Sequence, residues 1–294
     1  MTRDESETVS IVDDKLVPAQ HSNRPPPPTG TWDYRAYGSW RDELWMLLSD
    51  LVDYEVKAAF LDRPPEYVVG DDLTWLDNII WSVRGREVDS KSFLGRQLRR
   101  RYDALRAVHG TRTADLARFY SEGLRPLDPG FAQEQARQIF LGGAYPELTE
   151  ADLARAITTV GSDLREGRVF FEANEDMLIN QAGHYMLYGS EYLVAIAAHL
   201  GGFRDYRQVL KTRGNPTLFI CDVPLRLVRE STLLEFAGTA LEMMFQELLG
   251  GPAFEPDRMR GAGFCIREPL PASQIVGHYH PTVTRDPFRP ATWL

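Results

Sequence analysis

From Ser39 onward apolar residues recur at the three- and four-residue spacing of a helix. Leu44, Leu47, Leu48, Leu51 and Val52 line one face before Pro64 and Pro65 end the segment. Leu73, Leu76, Ile79, Ile80 and Val83 repeat the pattern behind Asp71 and Asp72, and Leu94, Leu98 and Tyr102 repeat it from Ser92 as N-cap. The stretch 31–103 is therefore expected to be helical. Beyond it the period shortens, and the apolar runs 105–109, 168–172, 217–228, 263–267 and 274–278 predict strands. Helices are predicted between them. Thr113 opens one that Gly123 stops, Thr149 and Asp152 make a capping box, Asn174 opens a long helix ending at Gly201 and Gly202, and Ser231 opens the last before Gly250 and Gly251. The strands are too unevenly spaced for a βαβ alternation and no internal repeat is present. The pattern thus predicts an α+β fold, with helices around a mixed or split sheet.

Residues 1–30 follow neither period. They hold few apolar side chains and end in Arg24 and the prolines 25–28, a composition that cannot offset the entropy of folding and reads as a disordered tail. The rest, with 43% hydrophobic and 26% charged residues overall, is ordinary globular composition over 294 residues, enough for one large domain or two smaller ones. A formal charge of −9 argues against a surface that binds nucleic acid throughout, although a local basic patch is compatible with it. Cys221 and Cys265 lie in separate apolar runs without metal or redox spacing, which fits a reducing compartment. No secretory signal opens the chain and no stretch reaches the roughly 18 apolar residues of a membrane span. A cytoplasmic protein without a membrane partner is expected.

The segment with chemical content is Leu105-Arg106-Ala107-Val108-His109-Gly110-Thr111-Arg112, followed after a helix by Gly123-Leu124. It is expected to bring a histidine to a strand's C-terminal end, with a glycine beside it that lets a flat ligand approach backbone N–H and C=O groups. Taken alone, a His-Gly pair also reads as a simple strand-end turn. Gly277-His278-Tyr279-His280 offers one pair of ligands on a strand face, but no second pair has zinc-site spacing, so no metal is expected. Neither a serine-hydrolase elbow nor a glycine-rich phosphate loop opens a helix.

His109-Gly110-Thr111, with Leu116, Phe119 and Gly123-Leu124 behind it, resembles the first motif of the His-Tyr-Glu branch of the ADP-ribosyltransferase superfamily, the branch of diphtheria toxin and the poly(ADP-ribose) polymerases. Residues 167–174, Gly-Arg-Val-Phe-Phe-Glu-Ala-Asn, are similar to the family's second strand, and Tyr185, Tyr188, Ser190 and Tyr192 follow where it carries a stacking aromatic. The departure is that Phe170 or Phe171 stands where a tyrosine belongs, so a ring face survives and the hydroxyl is lost unless Tyr185 or Tyr188 supplies it. Residues 218–225 look like the core strand, and Gln274-Ile275 like the closing pair. Glu268 is the acid nearest the place of the catalytic glutamate, a little late in register. Read without the family, it is a surface residue in a turn set by Pro269 and Pro271. The resemblance spans about 105–280.

The resemblance implies an ADP-ribosyltransferase-like domain over 104–294 behind a helical N-terminal extension, with NAD as substrate and an acceptor that is protein or nucleic acid. Breaking the ribose–nicotinamide bond passes through an oxocarbenium-like centre, as in glycoside hydrolysis. His109 would hold a ribose hydroxyl, Gly110 and Thr111 would meet the ligand through the backbone, Phe170, Tyr185 and Tyr188 would supply the rings around nicotinamide, and Glu268 would face the cation. Between residues 91 and 125 stand nine Lys or Arg against three Asp or Glu. Arg112 would meet the diphosphate; the others read as an acceptor patch or a solvated helix face. A binding module without transfer, or an NAD glycohydrolase, fits the same residues.

Overall fold

A computed structural model describes residues 24–202, 204–256 and 261–288. In chain order the elements are β1 (Thr31–Trp32), α1 (Tyr37–Leu47), α2 (Tyr54–Asp62), α3 (Thr74–Arg84), α4 (Ser90–Arg101), β2 (Ala104–Thr113), α5 (Leu116–Glu122), α6 (Pro129–Phe140), α7 (Glu150–Val160), β3 (Val169–Glu172), α8 (Glu175–Asn180), α9 (His184–Tyr188), α10 (Glu191–His199), β4 (Asn215–Pro224), α11 (Glu230–Gly250), β5 (Gly263–Ile266) and β6 (Ile275–Tyr279). The fold is mixed α and β, with an open, largely antiparallel sheet flanked by helices. Most of the tail expected over 1–30 lies outside the described residues. Its last part is ordered: Arg24 makes a buried ion pair with Glu175 at 3.3 Å, a carboxylate that also accepts from the Tyr279 hydroxyl.

Two compact units divide the chain. One comprises Pro27–Arg106 and Val223–Ala262. The helices expected in its first stretch form, but with earlier or additional caps. Asp53 accepts from the N–H groups of Glu55 and Val56 and so starts α2 afresh, and Asp89, rather than Ser92, caps α4. Trp32 stacks on Tyr102 and meets Trp40 and Phe236 edge-on. A single break after 103 therefore misses part of this unit, because α11 returns to it with Phe236 and Phe245. Gly70 and Gly238 mark a close backbone crossing, where a Cβ on Gly238 would stand 2.2 Å from the Gly70 carbonyl oxygen.

The other unit comprises Ala107–Asp222 and Gly263–Leu294, with the residues before Pro27. Among the described residues the strands form one path, β5-β3-β2-β4-β6, with β1 joined in parallel to the start of β2. Of the mixed or split sheet expected, the described residues show a single mixed one. β4 stops at Pro224 and gives way to a 3-10 turn over Leu225–Leu227, so the apolar run 217–228 is not all strand. Behind the sheet, α6, α7 and α10 bury Phe140, Leu153, Tyr192 and Ile196 in one cluster, with the Thr149–Asp152 capping box opening α7 as expected. Among the described residues, no helix is long and apolar enough to cross a membrane.

Candidate functional site

β2 is built by Leu105, Ala107 and Val108, and Val108 packs with Leu178, Ile179, Met186, Leu218, Ile220 and Tyr279 on one sheet face. The strand runs on to Thr113, so His109 lies within it and not at its end. β2 and β3 share register at one pair, Val108 with Glu172. Just past that pair, the His109 Nδ1 is 2.8 Å from the Phe170 carbonyl oxygen, and the imidazole lies 5.9 Å from the Phe171 ring. Burial pushes the His109 pKa below its ordinary value, and the Phe170 carbonyl only partly opposes this. A carbonyl only accepts, so a neutral imidazole here carries its proton on Nδ1, and Nε2 presents a lone pair.

Strand alternation puts Gly110 and Phe170 on the face shared by Val108 and Glu172. There α9 lies directly on Gly110. A Cβ at that position would be 3.3 Å from Met186 Cγ, 3.4 Å from Tyr185 Cβ and 3.5 Å from Leu178 Cδ2. This depends on the expected long helix from Asn174 being broken into α8, α9 and α10. Asn174 caps α8. A Cβ on Gly183 would be 2.0 Å from the Arg285 carbonyl oxygen, Gly189 ends α9 at φ 88°, and Ser190 caps α10.

The breaks aim two side chains at each other. The Tyr185 hydroxyl donates to Glu191 Oε2 at 3.0 Å, and Arg165 donates to Glu191 Oε1 at 2.8 Å. Burial first, then the Glu191 charge, raise the Tyr185 pKa. His184 covers one side of the Tyr185 ring at 4.2 Å between centroids, and burial keeps its pKa low.

The other expected site residues divide. Thr111 is half-buried and shares the His109 face by alternation. Arg112 packs against Gly189 and donates through Nη2 and Nε to the carbonyls of Lys211 and Arg213, so its guanidinium holds that turn. Tyr188 is buried, its hydroxyl donates to Asp286 at 2.7 Å, and Lys211 lies over its ring, which removes it from the ligand-facing rings. Glu268 is exposed in a bend beyond the end of β5, where Pro269 and Pro271 turn the chain, and β3 stands between β5 and β2. It is not brought to His109.

Gly123-Leu124 does find the segment after Glu268: Leu124 and Leu270 exchange backbone hydrogen bonds at 3.0 and 2.9 Å. Reading by motif missed Glu191 and Arg165. The Gly189-Ser190 pair, a helix stop followed by an N-cap, was the available signal that Glu191 begins a new helix beside Tyr185. Cys221 and Cys265 are both free thiols, and among the described residues no three His, Cys, Asp or Glu side chains cluster as metal ligands. No family model, curated protein or solved structure matches the chain.

Proposed function

We propose that the protein is an NAD-dependent ADP-ribosyltransferase whose NAD site is built around His109 on β2, held by the Phe170 carbonyl of β3. The observation that carries this reading is His109: a neutral imidazole fixed by the Phe170 carbonyl, next to a glycine on which a tyrosine-bearing helix rests. Its Nε2 lone pair accepts from a ribose hydroxyl and sets the sugar's orientation, while the backbone at Gly110 and Thr111 offers amide partners for the carboxamide.

In the transfer, the ribose C1′–nicotinamide N1 bond breaks with its electron pair going to the nitrogen. A nucleophilic oxygen or nitrogen of a protein or nucleic-acid acceptor then bonds to C1′ and gives up its proton. Water in that role makes the same site an NAD glycohydrolase. The exposure of Glu268 favours one further reading, a module that binds NAD or ADP-ribose without transfer.

Nicotinamide release from NAD, measured with and without cell lysate, separates these readings. The transferase reading expects release that His109→Ala abolishes, that Glu268→Gln leaves unchanged, and that rises with lysate. NAD binding with no release under either condition leaves the binding module. Absence of binding refutes the site.

A further inference from the structure

We infer that His278 and His280 form a binding site for one divalent transition-metal ion of the zinc, nickel and copper class, independent of the proposed NAD site. His278 lies on β6, the outer strand of the sheet, opposite Phe219 of β4, and His280 follows just past the strand's end. Two-residue spacing puts both imidazoles on one sheet face, and their ring centroids stand 5.5 Å apart at an interplanar angle of 66°. Two imidazoles that share an ion about 2.0–2.1 Å from each nitrogen have centroids roughly 4.5–6 Å apart, so the pair already stands at chelating separation.

The remaining nitrogens are held as ligands require. His280 Nδ1 is 2.8 Å from the Pro216 carbonyl oxygen; a carbonyl only accepts, so in the neutral ring Nδ1 carries the proton and Nε2 the lone pair. His278 Nδ1 is 2.7 Å from the Tyr120 hydroxyl. That oxygen accepts as well as donates, so when an ion takes the Nε2 lone pair, Nδ1–H donates to Tyr120, whose own proton turns to solvent from an exposed side chain. Among the described residues neither Nε2 has a hydrogen-bond partner. Metal-bound histidines donate their second ring nitrogen to just such partners, which fix the ring and its tautomer. Imidazole suits zinc, nickel and copper, whereas magnesium and calcium take oxygen ligands. The expectation of no metal asked for a second pair of protein ligands; with water in the remaining positions the single pair makes an open site.

The test is equilibrium dialysis of the full chain against zinc, nickel and magnesium chloride in turn, for the wild type, His278→Gln, His280→Ala and Tyr120→Phe. The expected result is one zinc or nickel ion per chain with a dissociation constant on the order of 1–100 μM, and no magnesium retained. Affinity should fall at least about tenfold in each histidine variant and about three- to tenfold in Tyr120→Phe, which removes the partner of Nδ1 but no ligand. His280 is exposed, so His280→Ala should melt as the wild type does without metal and still lose the ion. Zinc held equally by the wild type and His280→Ala would place it on other groups and overturn the inference, as would a wild type that retains neither zinc nor nickel below about 1 mM.

Discussion

Placing one methyl group on Gly110 tests whether α9, packed on the strand next to His109, holds that histidine in place. In Gly110→Ala the new carbon would stand 3.3 Å from Met186 Cγ, 3.4 Å from Tyr185 Cβ and 3.5 Å from Leu178 Cδ2. The best separation between carbon atoms is about 3.5–4.0 Å, so two of the three contacts are short by a few tenths of an ångström. Met186 is unbranched and can move, which puts the packing cost at the low end of the roughly 1–3 kcal/mol typical of overfilled cores. Replacing a glycine restricts the unfolded chain and returns about 0.4–1 kcal/mol. The two effects nearly cancel, so the melting temperature, followed by circular dichroism, is expected to fall by no more than about 4 °C. Function responds differently. Pushing α9 and β2 apart by a few tenths of an ångström shifts the strand that carries His109, and a misplacement of about 1 Å in a positioning group can cost on the order of a hundredfold. NAD affinity or nicotinamide release is therefore expected to drop by about three- to tenfold with little loss of stability. Unchanged binding in a variant that melts several degrees lower would refute the idea that α9 holds His109 in place.

Burial holds His109 and His184 below the ordinary histidine pKa of about 6.5, so below that pH the unfolded chain binds protons that the folded chain refuses. Stability, read as urea midpoints between about pH 4.5 and 7.5, should be full above about 6.5 and decline as pH falls, and His109→Gln should flatten part of that slope. Asp286 is buried and accepts from Tyr188, Lys211 and the Phe288 N–H; Asp286→Ala should cost about 3–5 kcal/mol in urea unfolding, and a loss under about 1 kcal/mol would contradict the buried network. Burial raises the Asp286 pKa, but the bonds from Lys211 and Tyr188 prevail and hold it below the usual value, so its stabilisation should be present above about pH 4 and fade as pH falls through the depressed folded pKa. Arg112→Leu should destabilise by about 1.5–3 kcal/mol while shifting NAD affinity less than twofold, because its donors serve the Lys211 and Arg213 carbonyls; a large affinity loss without destabilisation would restore it to the diphosphate.

Much of the fold was legible where local chemistry decides it. The Thr149–Asp152 capping box, the stop at Gly123 and the strand ending at Glu172 are set by residues within a few positions of one another, and all are where the pattern puts them. The misses are places where distant packing decides. Asn174 does cap a helix, but the apolar run behind it reads as continuous because nothing local shows that Arg285 backbone will press against Gly183. The return of α11 to the helical unit is equally invisible: its apolar face says that it is buried, and not against what.

The site was legible in proportion to how much of it a strand carries. His109, Gly110 and Phe170 lie on adjacent strands, and alternation alone assigns Gly110 and Phe170 to one face once Val108 is paired with Glu172. Charged groups followed no such rule. Glu268 was favoured by its order along the chain, yet two prolines end its strand and leave it in solvent on the far side of β3. Arg112 was favoured by its nearness to His109, yet carbonyls more than ninety residues away claim it. Glu191 had neither recommendation, and its contact follows only from a helix break that turns a six-residue separation from Tyr185 into a hydrogen bond. A charged side chain is long and finds its partner in three dimensions, so order along the chain places glycines and aromatic residues of a strand better than it places ionic partners.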